Sequence, residues 1–239
     1  MADINTILAE QSADGFISFH RLADWPQLGS PIGAATWPIV FTDCGAADFA
    51  ANSVAVDNAG GMAQLTKHVV ERGYREVAFY GLVEGSGVCR DRYAGFIRQL
   101  NNMGVSVPEN RVVRTSNWLE EPTDVLQHEP VLLEWVKSGV TAIVSSSDVV
   151  AAGIVKLLRR HGISVPEDVG VTGFDDSLAA RICEPTLTSV SQDVEAASRA
   201  AVHMLLALIG SGERQQCQIV PASLVIGEST AGGRRWKST

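Results

Sequence analysis

No uninterrupted apolar run in this 239-residue chain reaches the roughly 20 residues that a membrane-spanning helix needs. The opening residues carry no basic segment followed by an apolar core, so no secretion signal is expected. Cysteine is scarce. Cys44, Cys89, Cys183 and Cys217 lie far apart with no CxxC, which excludes a disulfide framework and fits a reduced, cytoplasmic protein. Five histidines are scattered and none forms HExxH, so neither a metal nor a cofactor is expected. Positive charge is also in deficit. Nineteen Lys and Arg face 27 Asp and Glu, for a net charge of −8. Phosphate-binding surfaces need clustered cations. Here the nearest cluster is Arg234, Arg235 and Lys237, in a tail over 233–239 read as a solvated end. Catalytic signatures are missing too: there is no GxSxG elbow and no kinase set. The stretch Gly81–Cys89 is glycine-rich, but it fits neither GxxxxGK[ST] nor GxGxxG and reads as a loop rather than a nucleotide site. The expectation is a protein that is not an enzyme.

What remains is a globular composition, 46% hydrophobic and 19% charged, long enough for one large domain or two lobes with their own cores. Apolar runs at 15–19, 39–42, 53–56, 77–80, 142–144, 169–172 and 219–220 read as strands. Helix-period stretches fall at 62–72, 93–103, 124–138, 149–161 and 194–209. Gly73, Gly162 and Gly210 read as helix stops, and Thr123 as an N-cap. The alternation predicts an α/β fold with parallel sheets and helices on both faces.

The run Val165-Pro166-Glu167-Asp168-Val169-Gly170-Val171-Thr172-Gly173-Phe174-Asp175-Asp176-Ser177 is the most informative. It reads as a turn, a short buried strand, and a carboxylate pair just past the strand's carboxyl end, where open α/β sheets bind ligands. Carboxylates placed there accept hydrogen bonds from a polyhydroxylated ligand. Equally, they could close an Asx-type turn that caps the next helix.

That run, followed by Pro185-Thr186-Leu187-Thr188-Ser189-Val190-Ser191-Gln192-Asp193, resembles the effector-sensing core of bacterial repressors of the lactose/galactose repressor (LacI/GalR) type. Three further pieces match in order: Val54–Gly61, Arg72–Gly81, and Arg92-Tyr93-Ala94-Gly95-Phe96. The likeness runs from about Asp14 to Thr230.

It implies two Rossmann-like lobes of the periplasmic-binding-protein type. An N-terminal lobe holds 1–57 plus 193–221, and a C-terminal lobe holds 58–192 plus 222–232. It implies a small polar effector, a sugar or sugar derivative, whose binding closes the lobes and controls operator binding in the complete protein. The partners implied are operator DNA, reached only through a headpiece that these residues do not include, and a second copy in a homodimer. The N-terminal lobe is expected to be incomplete by about one strand–helix–strand unit, leaving an edge at 15–19.

The ligand residues implied are Asp175, Arg92, Trp118, Ser147, Asp43 and Gln192. Asp175 takes ligand hydroxyls, Arg92 points at the ligand with its fixed donors, and Trp118 stacks on a flat apolar face. Ser147 stands where the family usually has Asn, which changes the hydrogen bonding and the ligand preference. Asp43 faces the ligand from the N-terminal lobe, and Gln192 lies in a segment crossing between lobes. Asp148 reads as a helix N-cap, Asp176 as a cap or brace, and Phe16 and Phe19 as core. A periplasmic-type sugar-binding protein is the alternative reading, distinguished by a secretion signal. A Rossmann-type enzyme would need a cofactor loop.

Overall fold

The computed structural model describes residues 13–19, 38–42, 52–116, 121–212 and 217–232. In chain order its strands and α-helices are β1 (Phe16–Ser18), β2 (Ile39–Thr42), β3 (Ser53–Val56), α1 (Asn58–Glu71), β4 (Val77–Val83), α2 (Gly87–Asn102), β5 (Val112–Thr115), α3 (Glu129–Lys137), β6 (Ala142–Ser145), α4 (Asp148–Arg160), β7 (Gly170–Thr172), α5 (Leu178–Ile182), β8 (Ser189–Gln192), α6 (Val194–Ser211), β9 (Gln218–Val220) and β10 (Ala222–Val225). The chain divides into two compact units, Met1–Asp57 with Asp193–Pro221, and Asn58–Gln192 with Ala222–Thr239. The fold is α/β with parallel sheets.

In the first unit, β1, β2, β3 and β9 form a parallel sheet in that order. Helix α6 lays Ala201, Met204 and Leu208 against Val40, Val54 and Val220. The helix is long and apolar enough, by length and composition, to cross a membrane, where the sequence reading found no such run. Its apolar residues are dispersed around the helix, and one stripe of them docks on the sheet. Phe19, expected in the core, is 74% exposed.

The second unit carries a parallel sheet of order β5-β4-β6-β7. All seven residues of β4 are buried, as a central parallel strand covered on both faces requires. Successive side chains point to opposite faces. Phe79 meets Phe96 and Tyr93 of α2, with ring centroids 5.1 Å apart in both pairs. Tyr80 meets Trp135 of α3 on the other face, in a cluster with Ile143, Ile154 and Val171. Burying one such large apolar side chain contributes about 1.5–3 kcal/mol. Strands β8 and β10 pair antiparallel, and bridges Thr172–Thr188 and Asp175–Ser191 attach β8 beside β7.

Several local expectations are corrected. β4 continues through Gly81 to Val83, with a register shift between Tyr80 and Leu82, and α2 begins at Gly87. The loop read over 81–89 therefore shrinks to the turn at 84–86. The helix expected over 124–138 is a 3-10 turn, Asp124–His128, followed by α3. Pro130 forces this split, because proline is accepted in a helix's first turn and not in its interior. Thr123 starts that turn with helical backbone angles and no side-chain cap bond. Helix α6 runs through Gly210 and ends at Gly212, which adopts the left-handed conformation.

Helices α1 and α2 approach through Gly95, where an added Cβ would lie 2.2 Å from the Ala59 carbonyl oxygen. At the carboxyl ends of β6 and β7 the structure overturns the reading of Asp148 as its own helix's cap. Fully buried, it accepts from the Ser177 N–H (2.7 Å) and the Ser189 hydroxyl (2.6 Å). Gly173 leaves the necessary room, since a Cβ there would sit 2.1 Å from Asp148 Oδ1. Burial pushes the Asp148 carboxyl from the ordinary 3.8 up to about 6. The nearby Asp175 charge adds to that push, and the hydrogen bonds from Ser189 and Ser177 oppose it.

Two outcomes follow. Alanine is about 1 kcal/mol better than glycine in an open helix. Gly95→Ala should nevertheless lower the urea unfolding free energy of the second unit by about 1–3 kcal/mol, the cost of overpacking; a stabilised variant would contradict the close helix contact. An acid whose folded pKa is raised contributes stability that is full below its unfolded pKa and lost as pH rises through the folded one. The wild-type minus Asp148→Asn difference in unfolding free energy should therefore fall by up to about 3 kcal/mol between pH 4 and pH 7, at 1.36 kcal/mol per pKa unit. A difference that is flat or rising over that range would contradict the buried acid.

Candidate functional site

Four segments meet at the carboxyl ends of the second unit's strands. They are the start of α1, the second turn of α2, the β6–α4 junction, and the turn after β7 beside the end of β8. Such strand ends form a natural ligand site, because the loops diverge there and the next helices point their N-termini inward.

Arg92 is the centre. Its side chain is 4% exposed, against 34% for the carboxylate of Asp175, which lies 3.0 Å from Nη2. The guanidinium is held on its other edges as well. Nε donates to Asn58 Oδ1 at 2.9 Å, and Nη1 donates to the Ser146 carbonyl at 2.6 Å. Its flat face stacks on Phe174, with Cζ 3.8 Å from the ring centroid. A buried cation without partners is very costly, so these acceptors are what lets a charge stay inside the unit.

Asp175 shares Oδ1 between Arg92 and the side-chain amide of Gln192. Gln192 is at the end of β8, and the Asp175 N–H donates to the Val190 carbonyl of the same strand. The pair is thus built from residues 83 positions apart. Asp176 turns away and pairs with Arg181 of α5 at 2.8 Å, bracing the turn, while Ser177 takes the N-cap position of that helix. Ser147 is buried at the N-cap of α4, and its side chain makes no capping bond.

The structure therefore brings Arg92, Asp175 and Gln192 into one hydrogen-bonded group, with Ser147 next in chain to Ser146, whose carbonyl holds Arg92. Asp43 and Trp118 lie outside the described residues. The sequence reading missed Asn58, Phe174 and Ser189. Asn58 stands inside the quoted Val54–Gly61 motif, and a polar residue at a helix start facing a buried arginine was the available signal. Phe174 precedes the carboxylate pair, and a large aromatic beside it was the signal for a stacked cation. Among the described residues, no group of three or more His, Cys, Asp or Glu is placed to hold a metal ion. Chemically, the group presents a fixed cation and an adjoining half-exposed carboxylate, donor and acceptor side by side.

Residues 66–230 match the family described as a periplasmic binding protein-like domain. The regulator RegA of Clostridium saccharobutylicum is 29% identical over 180 residues, covering 74% of this chain and 53% of that protein. The regulator CelR of Thermobifida fusca is 30% identical over 203 residues, covering 83% of this chain and 58% of that protein. A solved complex of transcriptional regulator CelR with cellobiose is 26% identical, with a TM-score of 0.79, and the match covers 95% of this chain and 68% of that one. The chain spans little more than half the length of these curated relatives. It belongs to the periplasmic binding protein-like domain family.

Proposed function

We propose that this chain is the effector-binding part of a LacI-type transcriptional regulator and that its second unit binds a small polyhydroxylated ligand, a sugar or sugar derivative. The observation that carries the reading is the Arg92–Asp175–Gln192 group at the strand ends. Asp175 accepts hydrogen bonds from ligand hydroxyls, and Arg92 donates in a fixed plane. Charge-assisted bonds of this kind contribute roughly 1.5–3 kcal/mol each. The CelR–cellobiose complex, similar over 95% of this chain, supports the sugar class. Ser147, Asp43 and Trp118 complete the proposed ligand set.

The family relatives favour a regulator over a transport-type sugar-binding protein. A binding role, not catalysis, accounts for a site whose cation is locked in place rather than set to move protons. Ligand binding then shifts operator occupancy in the complete regulator through a coupling of about 1–3 kcal/mol. Operator contact belongs to a separate DNA-reading segment. The remaining partners proposed are a second copy in a homodimer and a cytoplasmic setting.

A thermal-shift screen of mono- and disaccharides, cellobiose included, tests this. A ligand at 100 times its Kd stabilises the native state by about 2.7 kcal/mol, a visible rise in Tm. Asp175→Asn keeps the shape and loses the charge, and it should weaken a hit by about 10- to 100-fold, the equivalent of one charge-assisted bond. Undiminished affinity in that variant would overturn the site, and a screen with no hit would overturn the sugar class.

A further inference from the structure

We propose that Asp148 is a positioning residue for this site: it holds both ends of the Phe174–Ser177 turn, one by its backbone N–H and the other by its carboxylate, and so fixes where Asp175 meets Arg92. The inference rests on the proposed ligand site and deepens it.

Two consecutive non-glycine residues in that turn have positive φ, +112° at Asp175 and +50° at Asp176. Such conformations are uncommon for residues with a side chain and need surroundings that hold them. Asp148 supplies that hold from below. Its backbone N–H donates to the Phe174 carbonyl at 2.9 Å, and its Oδ2 accepts from the Ser177 N–H at 2.7 Å. Its Oδ1 accepts from the Ser189 hydroxyl at 2.6 Å, and the Ser189 oxygen accepts in turn from the Asp176 N–H at 3.1 Å. Three of the four turn residues are thus tied to Asp148: Phe174 by its backbone N–H, Ser177 by its carboxylate, and Asp176 by that carboxylate through Ser189. The fourth, Asp175, is left with its carboxylate directed at Arg92 and Gln192.

Helix capping does not explain Asp148. Its oxygens bond to the β7 turn and to β8, not to its own helix. Stability does not explain it either, because a buried charge at neutral pH opposes folding. The geometry asks for an acceptor at both ends of one short side chain, since two donors point into it. A carboxylate is acceptor-only, whereas an amide must turn a donor toward one of them. Asp148→Asn therefore keeps the volume and disturbs one of the two bonds, and Ser189→Ala removes the relay to Asp176 while leaving Asp148 intact.

The test reads the site with and without sugar. In arginine-labelled full chain, the Arg92 Nε–H signal, assigned by its loss in Arg92→Lys, reports the guanidinium held between Asn58 and Asp175. In Asp148→Asn and in Ser189→Ala, solvent exchange of that proton should accelerate at least tenfold, while the amides of Val77–Tyr80 keep wild-type protection. A Tm shift with cellobiose, measured in parallel, reads ligand binding. If cellobiose shifts wild type, both variants should weaken it. If it does not shift wild type, the sugar reading suffers, and the Arg92 signal alone still decides the positioning role. Exchange at Arg92 within twofold of wild type in both variants would overturn the proposal. So would an equal loss of protection at Val77–Tyr80, which would mark Asp148 as general scaffolding.

Discussion

A desolvated guanidinium is the constraint around which the second unit is arranged. Arg92 sits on α2 with 4% of its side chain exposed. A charge in that position is tolerated only when its donors are satisfied and a counter-charge stands close. Asn58 from α1, the Ser146 carbonyl from the end of β6, Asp175 from the turn after β7, and the face of Phe174 meet those requirements. They come from three different connections, so the arginine can be satisfied only when those ends have been brought together. Fold and site are in this sense one problem: the sheet makes the charge affordable, and the charge fixes the geometry of the loops.

The same logic explains the local irregularities. The turn after β7 takes two residues through positive φ, and it does so beside Asp148, whose buried carboxylate holds it. Gly173 gives up its side chain because Asp148 occupies the space, and Gly95 does so because α1 lies against it. These are places where local preference yields to the site or to close packing, as expected where function competes with stability.

Much of the architecture was legible in the sequence. Strands over 39–42 and 53–56 were readable to the residue, because buried parallel strands are short β-branched runs bounded by breakers. Gly73 and Gly162 marked helix ends correctly, and both have positive φ. Gly210 misled, since a glycine two residues before the true stop carries the same local signal as Gly212. Strand β8 was harder to see, because Ser189 and Ser191 interrupt any hydrophobic pattern and its antiparallel pairing with β10 is set by contacts far along the chain. At the site, the position past the strand's end pointed to Asp175 and the family resemblance to Arg92, but no spacing rule links positions 83 apart. Asp148 was read as a cap because local preference is all a sequence shows, and its partners Ser177 and Ser189 lie 29 and 41 residues away.

The central claim is that Arg92 and Asp175 form a preorganised, mostly desolvated pair and not a loose surface contact. A double-mutant cycle on unfolding free energy, using Arg92→Met, Asp175→Asn and the double variant, measures it most directly. Pairs in one buried network couple by about 0.5–3 kcal/mol, whereas exposed ion pairs give about 0.2–1 kcal/mol. A coupling above about 1 kcal/mol that persists in 1 M salt, where the Debye length is about 3 Å, is the predicted result. A coupling near zero, or one abolished by salt, would contradict it.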